Sequence, residues 1–205
     1  MSVKQSDYES LLAEYCGREG AIALLRQHLP YLEKLPSLRH PEQSIIPIPF
    51  PIVRIRSSKS SEDNFGPSNA DSESQSLPCD LAILMCDPEW QIKLGAEILV
   101  FIHRPDETLS DLLIRWRKSQ IYLGKDYEWL MPPQEQHMFS EGAEEICPLF
   151  VLFEHSPQHI HKGLAGAGLR VIASYLLQKI QTKREKYSVK KKQSSKRRKG
   201  ALPNL

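Results

Sequence analysis

The sequence predicts an α/β protein in which helices flank a mixed β-sheet. Short apolar runs typical of buried strands are separated by segments whose apolar residues recur at helical spacing. Strands and helices therefore alternate along the chain, as in a sheet with a crossover helix. No apolar run approaches the roughly 18–20 residues needed to span a bilayer, so we expect no membrane span. The strand-like runs cover residues 45–56, 79–86, 96–103, 127–131 and 146–153.

The chain divides into three parts by composition. Residues 1–44 form an N-terminal helical segment, because apolar side chains between 7 and 35 recur at steps of three and four. Residues 45–186 form the α/β core, which begins with an edge strand since its alternating prolines cannot donate to a ladder. Within it, residues 57–77 are rich in Ser, Asn, Asp and Glu and predict a long disordered loop.

Two longer helices are predicted in the core. The first covers residues 108–123, with Asp106 or Thr108 as its N-cap and Gly124 as its C-terminal stop. The second runs from about Ile160 to Lys186, where apolar residues form a stripe along one face.

Cysteine and histidine residues give no strong metal signal. The four cysteines include no C-x-x-C pair, so zinc spacing is absent and free thiols are expected. His155, His159 and His161 are interpreted as loop residues at a helix entry, because Pro157 interrupts the spacing that would align two of them. His103 follows a strand, where it has a structural role or lines a pocket.

The charge distribution is asymmetric. Residues 179–205 contain 11 Lys and Arg and one Glu, a net +10 in a chain of net +2. The remaining 178 residues therefore carry −8. The sequence thus predicts an acidic body with a basic tail, residues 187–205, that is too polar to form a core and is expected to be disordered.

The tail predicts contact with a polyanion. Its two basic clusters resemble a nucleic-acid arm or a nuclear localisation signal, so nucleic acid or an import receptor is the expected partner. We expect an intracellular protein, in the nucleus of a eukaryotic or viral source and in the cytoplasm otherwise. The clusters consist of Lys190, Lys191, Lys192, Lys196, Arg197, Arg198 and Lys199.

One stretch resembles a known family. Pro78-Cys79-Asp80 opens an apolar run. Later in the chain, the predicted strand ILVFI precedes the turn Arg104-Pro105-Asp106. The helix then opens Leu109-Ser110-Asp111-Leu112, ends at Gly124 and is followed by YEWLM. This order resembles the core of the Uma-type endonuclease-like family of the PD-(D/E)XK restriction-endonuclease-like superfamily. The resemblance implies a restriction-endonuclease-like fold.

The resemblance also implies a candidate site. Nucleases of this kind hold Mg²⁺ between two carboxylates and place a lysine near the attacking water. Asp80 matches the first acidic position and Glu97 stands for the second, so these two would be the catalytic metal ligands. Phe101 replaces the family's in-strand Glu, and Arg115, with Lys118 one turn later, replaces its helical Lys.

Two functions follow from this sequence. The first is a nucleic-acid-associated protein with a nuclease-like fold and a degenerate metal site; if active, it is a Mg²⁺-dependent endonuclease using Asp80, Glu97, Arg115 and Lys118. The second is a non-enzymatic scaffold whose acidic body binds a protein partner while the tail supplies nuclear localisation. An unrelated α/β fold that shares the strand–helix–strand pattern also stays open.

Overall fold

A computed structural model describes residues 3–26, 44–55, 73–85, 96–131 and 145–174. These residues form helices α1 to α4 and strands β1 to β8. In chain order, the elements are α1 (Gln5–Tyr15), α2 (Arg18–Arg26), β1 (Ile45–Pro49), β2 (Ile52–Ile55), β3 (Glu73–Ser76), β4 (Leu81–Met85), β5 (Ala96–Ile102), α3 (Leu109–Leu123), β6 (Tyr127–Trp129), β7 (Glu145–Phe153), α4 (Gln158–Gly166) and β8 (Val171–Ser174).

The larger sheet is mixed, as the sequence predicts. Its strand order is β1-β4-β5-β7-β8. β4 runs antiparallel to both of its neighbours, β1 and β5, whereas β7 runs parallel to β5 and β8. β1 lies at the edge, which explains why it tolerates Pro47 and Pro49. The α/β class is therefore confirmed.

Apolar side chains cover both faces of this sheet. On one face, α1 and α2 pack against alternate residues of the central strands, including Leu81, Ile83 and Val100. The opposite face packs its own alternate residues, such as Leu99 and Phe101, against α3, α4 and the second sheet. The central strands are thus buried on both faces, which explains their near-continuous apolar sequences.

A second, smaller sheet joins three short strands in the order β3-β2-β6. The run 45–56 therefore divides between two sheets, at Phe50, whose φ of 46° turns the chain. β3 covers residues 73–76, so the predicted disordered loop 57–77 is wrong at that end. Residues 56–72 lie outside the described residues.

α3 begins and ends close to the predicted residues. Thr108 is its N-cap and forms a capping box with Asp111, in which each side chain bonds the other residue's backbone N–H. Hydrogen bonds from Thr108 lower the pKa of Asp111. Gly124 is the C-cap with a right-handed φ of −76°, so the helix ends there without a left-handed residue.

The prediction of one helix from Ile160 to Lys186 is wrong. α4 ends at Gly166, and Gly168 adopts a φ of +70°, which a glycine accepts without steric cost. The Leu169 N–H then bonds the Leu164 carbonyl at 3.0 Å and closes the helix end. The β-branched pair Val171 and Ile172 continues as β8, parallel to β7.

Some predicted segments lie outside the described residues, namely 27–43 and the basic tail 187–205. Within the described residues, no helix has both the length and the apolar character that a membrane crossing requires.

Candidate functional site

Pairing of β4 with β5 decides where the two predicted metal ligands lie. The strands are adjacent, as the nuclease resemblance requires, and they are antiparallel. Asp80 directly precedes β4 and its N–H bonds the Val100 carbonyl at 2.9 Å, near the end of β5. Glu97 instead faces Leu84 near the start of β5. Four residues at about 3.3 Å each separate the two positions by roughly 13 Å.

Asp80 is fully buried among hydrogen-bond donors. Its Oδ1 accepts bonds from the Tyr8 hydroxyl at 2.8 Å and from two guanidinium nitrogens of Arg104, at 3.2 and 2.6 Å. Its Oδ2 accepts from the Ile102 N–H at 2.7 Å and from Arg115 at 2.5 Å. A carboxylate offers about four lone-pair sites, so these five bonds saturate Asp80.

Arg115 connects α3 to the end of the sheet. Its Nε donates to the Pro78 carbonyl at 2.8 Å, and one terminal nitrogen donates to Glu107 Oε1 at 2.9 Å. The guanidinium also lies 5.4 Å from the centre of the Phe101 ring, within the range of a cation–π contact. Phe101 thus packs against the Arg115 guanidinium.

We call Tyr8, Asp80, Arg104, Glu107 and Arg115 the Asp80 cluster. Its two arginines balance its two carboxylates, which is the condition for keeping charges in a buried site. Burial, followed by the negative charge of Asp80, raises the pKa of Tyr8 to about 12, so the tyrosine remains a donor at neutral pH. Lys118 is exposed on α3 and does not belong to the described contacts of this cluster.

Sequence reasoning missed three members of the Asp80 cluster: Tyr8, Arg104 and Glu107. Arg104 and Glu107 belong to the turn that follows β5, and the Glu107 carboxylate accepts the Arg104 N–H at 2.9 Å. Charged residues directly after a buried strand are the signal that could have found them. Tyr8 lies 72 residues from Asp80 in the chain, so no local pattern reveals it.

Glu97 is also fully buried, in a different environment. Its Oε2 accepts a bond from the Tyr127 hydroxyl at 2.6 Å, and its Oε1 accepts from Trp129 Nε1 at 2.7 Å. Both donors belong to β6, so Glu97 ties the larger sheet to the smaller one. We call Glu97, Tyr127 and Trp129 the Glu97 cluster.

The structure therefore does not bring Asp80 and Glu97 together around one metal ion. To share one Mg²⁺, each carboxylate would have to place an oxygen about 2.0–2.1 Å from the ion. The Asp80 and Glu97 positions lie roughly 13 Å apart along the strands, which does not allow this. Arg115 does reach Asp80, but as its ion-pair partner. The described residues contain no group of three or more His, Cys, Asp or Glu side chains that could hold a metal ion.

YEWLM also lies elsewhere than the resemblance implies. β6 belongs to the smaller sheet, and the strand that follows α3 beside β5 is β7, which runs parallel to it. Trp129 therefore lies in the smaller sheet, and its side chain donates a hydrogen bond to Glu97 of the larger sheet.

The described cysteines are free, as predicted for Cys16, Cys79 and Cys147. Burial raises the pKa of the Cys79 thiol, and it also raises the pKa values of Cys16 and Cys147. These shifts keep all three in the thiol form, which is a poor nucleophile and a poor metal ligand.

The predicted loop histidines occupy two kinds of position. His155 stacks on the Phe153 ring with 5.6 Å between ring centres. His159 and His161 lie in α4, which begins at Gln158 just after Pro157, two residues before the predicted start of the helix. His103 lies directly after β5, and only 2% of its surface is exposed.

Comparison of the chain with protein-family models, with curated proteins and with solved structures finds no match.

Proposed function

We propose that this chain is a nucleic-acid-associated protein whose nuclease-like α/β body has lost the two-carboxylate metal site and does not cleave nucleic acid. The observation that carries the proposal is the saturation of Asp80 by five hydrogen bonds, two of them from Arg104 in the turn after β5. A carboxylate held by two guanidinium groups would have to give up both ion pairs to bind a cation.

Two features support the nuclease-like part. Asp80 lies at the start of an inner strand beside β5, and α3 carries Arg115 back to that same end of the sheet. These are the relative positions that the resemblance implies for the first acidic residue and the helical cation. Exchange of Lys for Arg fits a structural role, because a guanidinium binds carboxylates in a planar, bidentate manner that an ammonium cannot.

The basic tail supports the nucleic-acid part. Seven Lys and Arg residues between positions 190 and 199 follow a body of net charge −8. A polyanion attracted to the tail would be repelled by the body, so contacts concentrate on the tail and involve phosphates rather than bases. Binding is then insensitive to sequence and strongly dependent on salt. The same clusters would serve an import receptor in a nucleated source.

Two variants test the tail. One ends at Lys186, and the other keeps the full length but replaces the seven basic residues of 190–199 with Gln. We expect the wild-type protein to bind a 20-base-pair DNA duplex with a slope of log K against log [salt] of up to about −6, since each phosphate contact contributes about −0.9. Both variants should lose this salt-dependent binding, as measured by fluorescence anisotropy.

A nuclease assay tests the body. Wild-type protein, Asp80→Ala and the truncated variant are incubated with plasmid and single-stranded DNA in Mg²⁺ or Mn²⁺. We expect no metal-dependent cleavage by any of them. Cleavage that Asp80→Ala abolishes would show an active nuclease and overturn the proposed loss of the metal site, whereas unchanged DNA binding by the Gln variant would overturn the role of the tail.

The scaffold function remains a second candidate because α3 exposes apolar side chains. Ile114 and Ile121 are 47% and 57% exposed and lie two turns apart on one face of the helix. Replacing both with Glu would abolish a protein complex made through this face and leave tail-dependent DNA binding intact, as measured by co-purification and anisotropy.

A further inference from the structure

Ser156 and His103 form a hydrogen-bonded pair at the end of β5, beside the Asp80 cluster. His103 directly follows β5, and Ser156 lies in the turn between β7 and α4. Ser156 Oγ and His103 Nδ1 are 2.7 Å apart, and both residues are buried, at 6% and 2% exposure. A hydroxyl at this distance from an imidazole is the arrangement that activates a serine nucleophile.

Neighbouring groups fix the direction of this hydrogen bond. His103 Nε2 lies 3.0 Å from the Glu107 carbonyl oxygen, which can only accept, so Nε2 carries the proton. In the neutral ring, Nδ1 is then an acceptor, and Ser156 must donate its hydroxyl proton to it. Ser156 Oγ in turn accepts the Phe153 N–H at 3.0 Å, which holds the oxygen in place.

His103 is kept in the form that a general base requires. Burial lowers its pKa below the ordinary 6.5, and the neighbouring His155 and His161 act in the same direction, while Glu107 opposes them. The imidazole is therefore neutral at pH 7 and able to accept a proton. The Glu107 carbonyl orients the ring, as a third group does in hydrolytic triads.

Ser156 also borders a cavity. The cavity has a volume of about 600 Å³ and is lined by Glu154, Ser156, Gln158, His161, Lys162 and Ala165. This volume lies within the range of roughly 300–1,000 Å³ typical of small-molecule sites. Since α4 begins at Gln158, the N–H groups of its first residues have no carbonyl partner earlier in the helix. They provide positive electrostatic potential at the end of the cavity that contains Ser156.

We propose that Ser156 is a nucleophile activated by His103, and that the cavity takes small carboxylic esters. Ser156 Oγ attacks the ester carbonyl carbon while its proton passes to His103 Nδ1. The C–O bond to the alcohol then breaks, and the alcohol leaves with the proton from Nδ1. Water, deprotonated by the same nitrogen, hydrolyses the acyl-serine to the carboxylic acid and restores Ser156.

The wild-type protein itself allows the first test. It is incubated with a fluorophosphonate, which transfers its phosphonyl group to an activated serine with loss of fluoride, and the modified residue is located by peptide mass spectrometry. We expect modification of Ser156 and none of Ser119, a buried serine that donates to the Arg115 carbonyl and has no histidine partner. Modification of Ser119 at an equal rate, or no modification of Ser156, overturns the proposal.

The role of His103 is tested with His103→Gln, which retains a side chain able to bond the Glu107 carbonyl. We expect the rate of Ser156 labelling and of p-nitrophenyl acetate hydrolysis to fall by about 100-fold or more, the usual contribution of a general base. Folding is checked by circular dichroism. Ser110→Ala, at an exposed serine of α3, is the control and should leave both rates unchanged.

Labelling that persists at the wild-type rate in a folded His103→Gln protein would show that the histidine only supports the turn. The mass-spectrometric test uses the unaltered chain, so its result does not depend on the folding of any variant.

Discussion

Two buried carboxylates on one strand pair have acquired different partners. Asp80 is held by two arginines, a tyrosine and a backbone N–H, whereas the described donors to Glu97 are the neutral Tyr127 and Trp129. Asp80 thus joins α3 and the turn after β5 by charge, and it joins α1 through the hydrogen bond from Tyr8. Glu97 joins the two sheets by hydrogen bonds to aromatic residues.

The two clusters stabilise a buried carboxylate in different ways. Around Asp80, each charge has an opposite charge within ion-pair distance, and removing one leaves another uncompensated. Around Glu97, an uncharged acceptor of the same shape can still satisfy Tyr127 and Trp129. The two clusters should therefore respond very differently to the same chemical change, from carboxylate to amide.

Asp80→Asn should have the largest effect on stability. The amide oxygen can still accept from Arg115 and from the Ile102 N–H, but the amide nitrogen then faces the Arg104 guanidinium, and two cations remain with the single negative charge of Glu107. Breaking a buried pair in this way costs about 3–5 kcal/mol in the free energy of unfolding, measurable by urea denaturation.

Glu97→Gln is the matched control, because it makes the same change in a residue equally buried on the same strand pair. Its amide oxygen can accept from Trp129 Nε1, and its amide nitrogen can donate to the Tyr127 hydroxyl oxygen. We expect a loss of roughly 1 kcal/mol or less. Equal losses for the two amides would show that charge compensation does not distinguish the clusters.

Glu97→Leu should have the second-largest effect on the free energy of unfolding. Leucine offers no acceptor, so the buried Trp129 Nε1–H loses its partner, at a cost of about 1–3 kcal/mol. Because Glu97 connects the two sheets, hydrogen exchange of the β6 amides should accelerate more than that of the β4 amides. Equal acceleration in both strands would contradict the assignment of Glu97 to the sheet–sheet contact.

The sequence predicts the elements whose signals are local. α3 is predicted over residues 108–123, with Asp106 or Thr108 as its N-cap and Gly124 as its stop, and the structure places it at Leu109–Leu123 because its cap and its apolar period are local signals. β4, β5 and β7 were predicted from continuous apolar runs, which buried strands require. The long helix after Ile160 was predicted wrongly because the stripe continues in sequence past Gly168, whose positive φ ends the helix.

The candidate site could be predicted only in part. The sequence offers Asp80 and Glu97 as metal ligands and Arg115 or Lys118 as a phosphate contact, whereas the structure buries Asp80, Glu97 and Arg115 and its antiparallel register separates the two acids. Partners of Asp80 lie 24, 35 and 72 residues away in the chain. Contacts over such separations depend on tertiary packing, which no local pattern contains.

Arg104→Ala should have a smaller effect than Asp80→Asn or Glu97→Leu. The Arg104 side chain is 41% exposed, although its ion pair with Asp80 is 2.6 Å long, and water replaces much of the lost interaction. Arg115 continues to compensate Asp80. We expect a loss of about 1 kcal/mol in the free energy of unfolding.

Arg54→Ala is the control for Arg104, since Arg54 makes a surface pair with Glu128 at 3.5 Å and is exposed to a similar degree, 43%. It should cost about 0.2–1 kcal/mol. If Arg104→Ala costs as little as Arg54→Ala, only Arg115 contributes measurably to the compensation of Asp80.

Acid should weaken the end of the sheet that carries the Asp80 cluster, through His103. Burial lowers the pKa of His103 from 6.5 in the folded state, so below pH 6.5 the unfolded chain binds the proton more readily than the folded chain does. The stability contributed by neutral His103 is therefore complete above pH 6.5 and is lost as the pH falls toward the folded-state pKa. Urea denaturation between pH 5 and 8 measures this slope.

His103→Gln removes the titrating group and should flatten the pH dependence over that range. The loop from His103 to Glu107 carries both the imidazole contact and the Arg115 contact. Protonation of His103 adds a positive charge beside the two arginines there, which is why acid should act at this end of β5 and not at the Glu97 end. A slope that survives in His103→Gln would assign the acid sensitivity to another group.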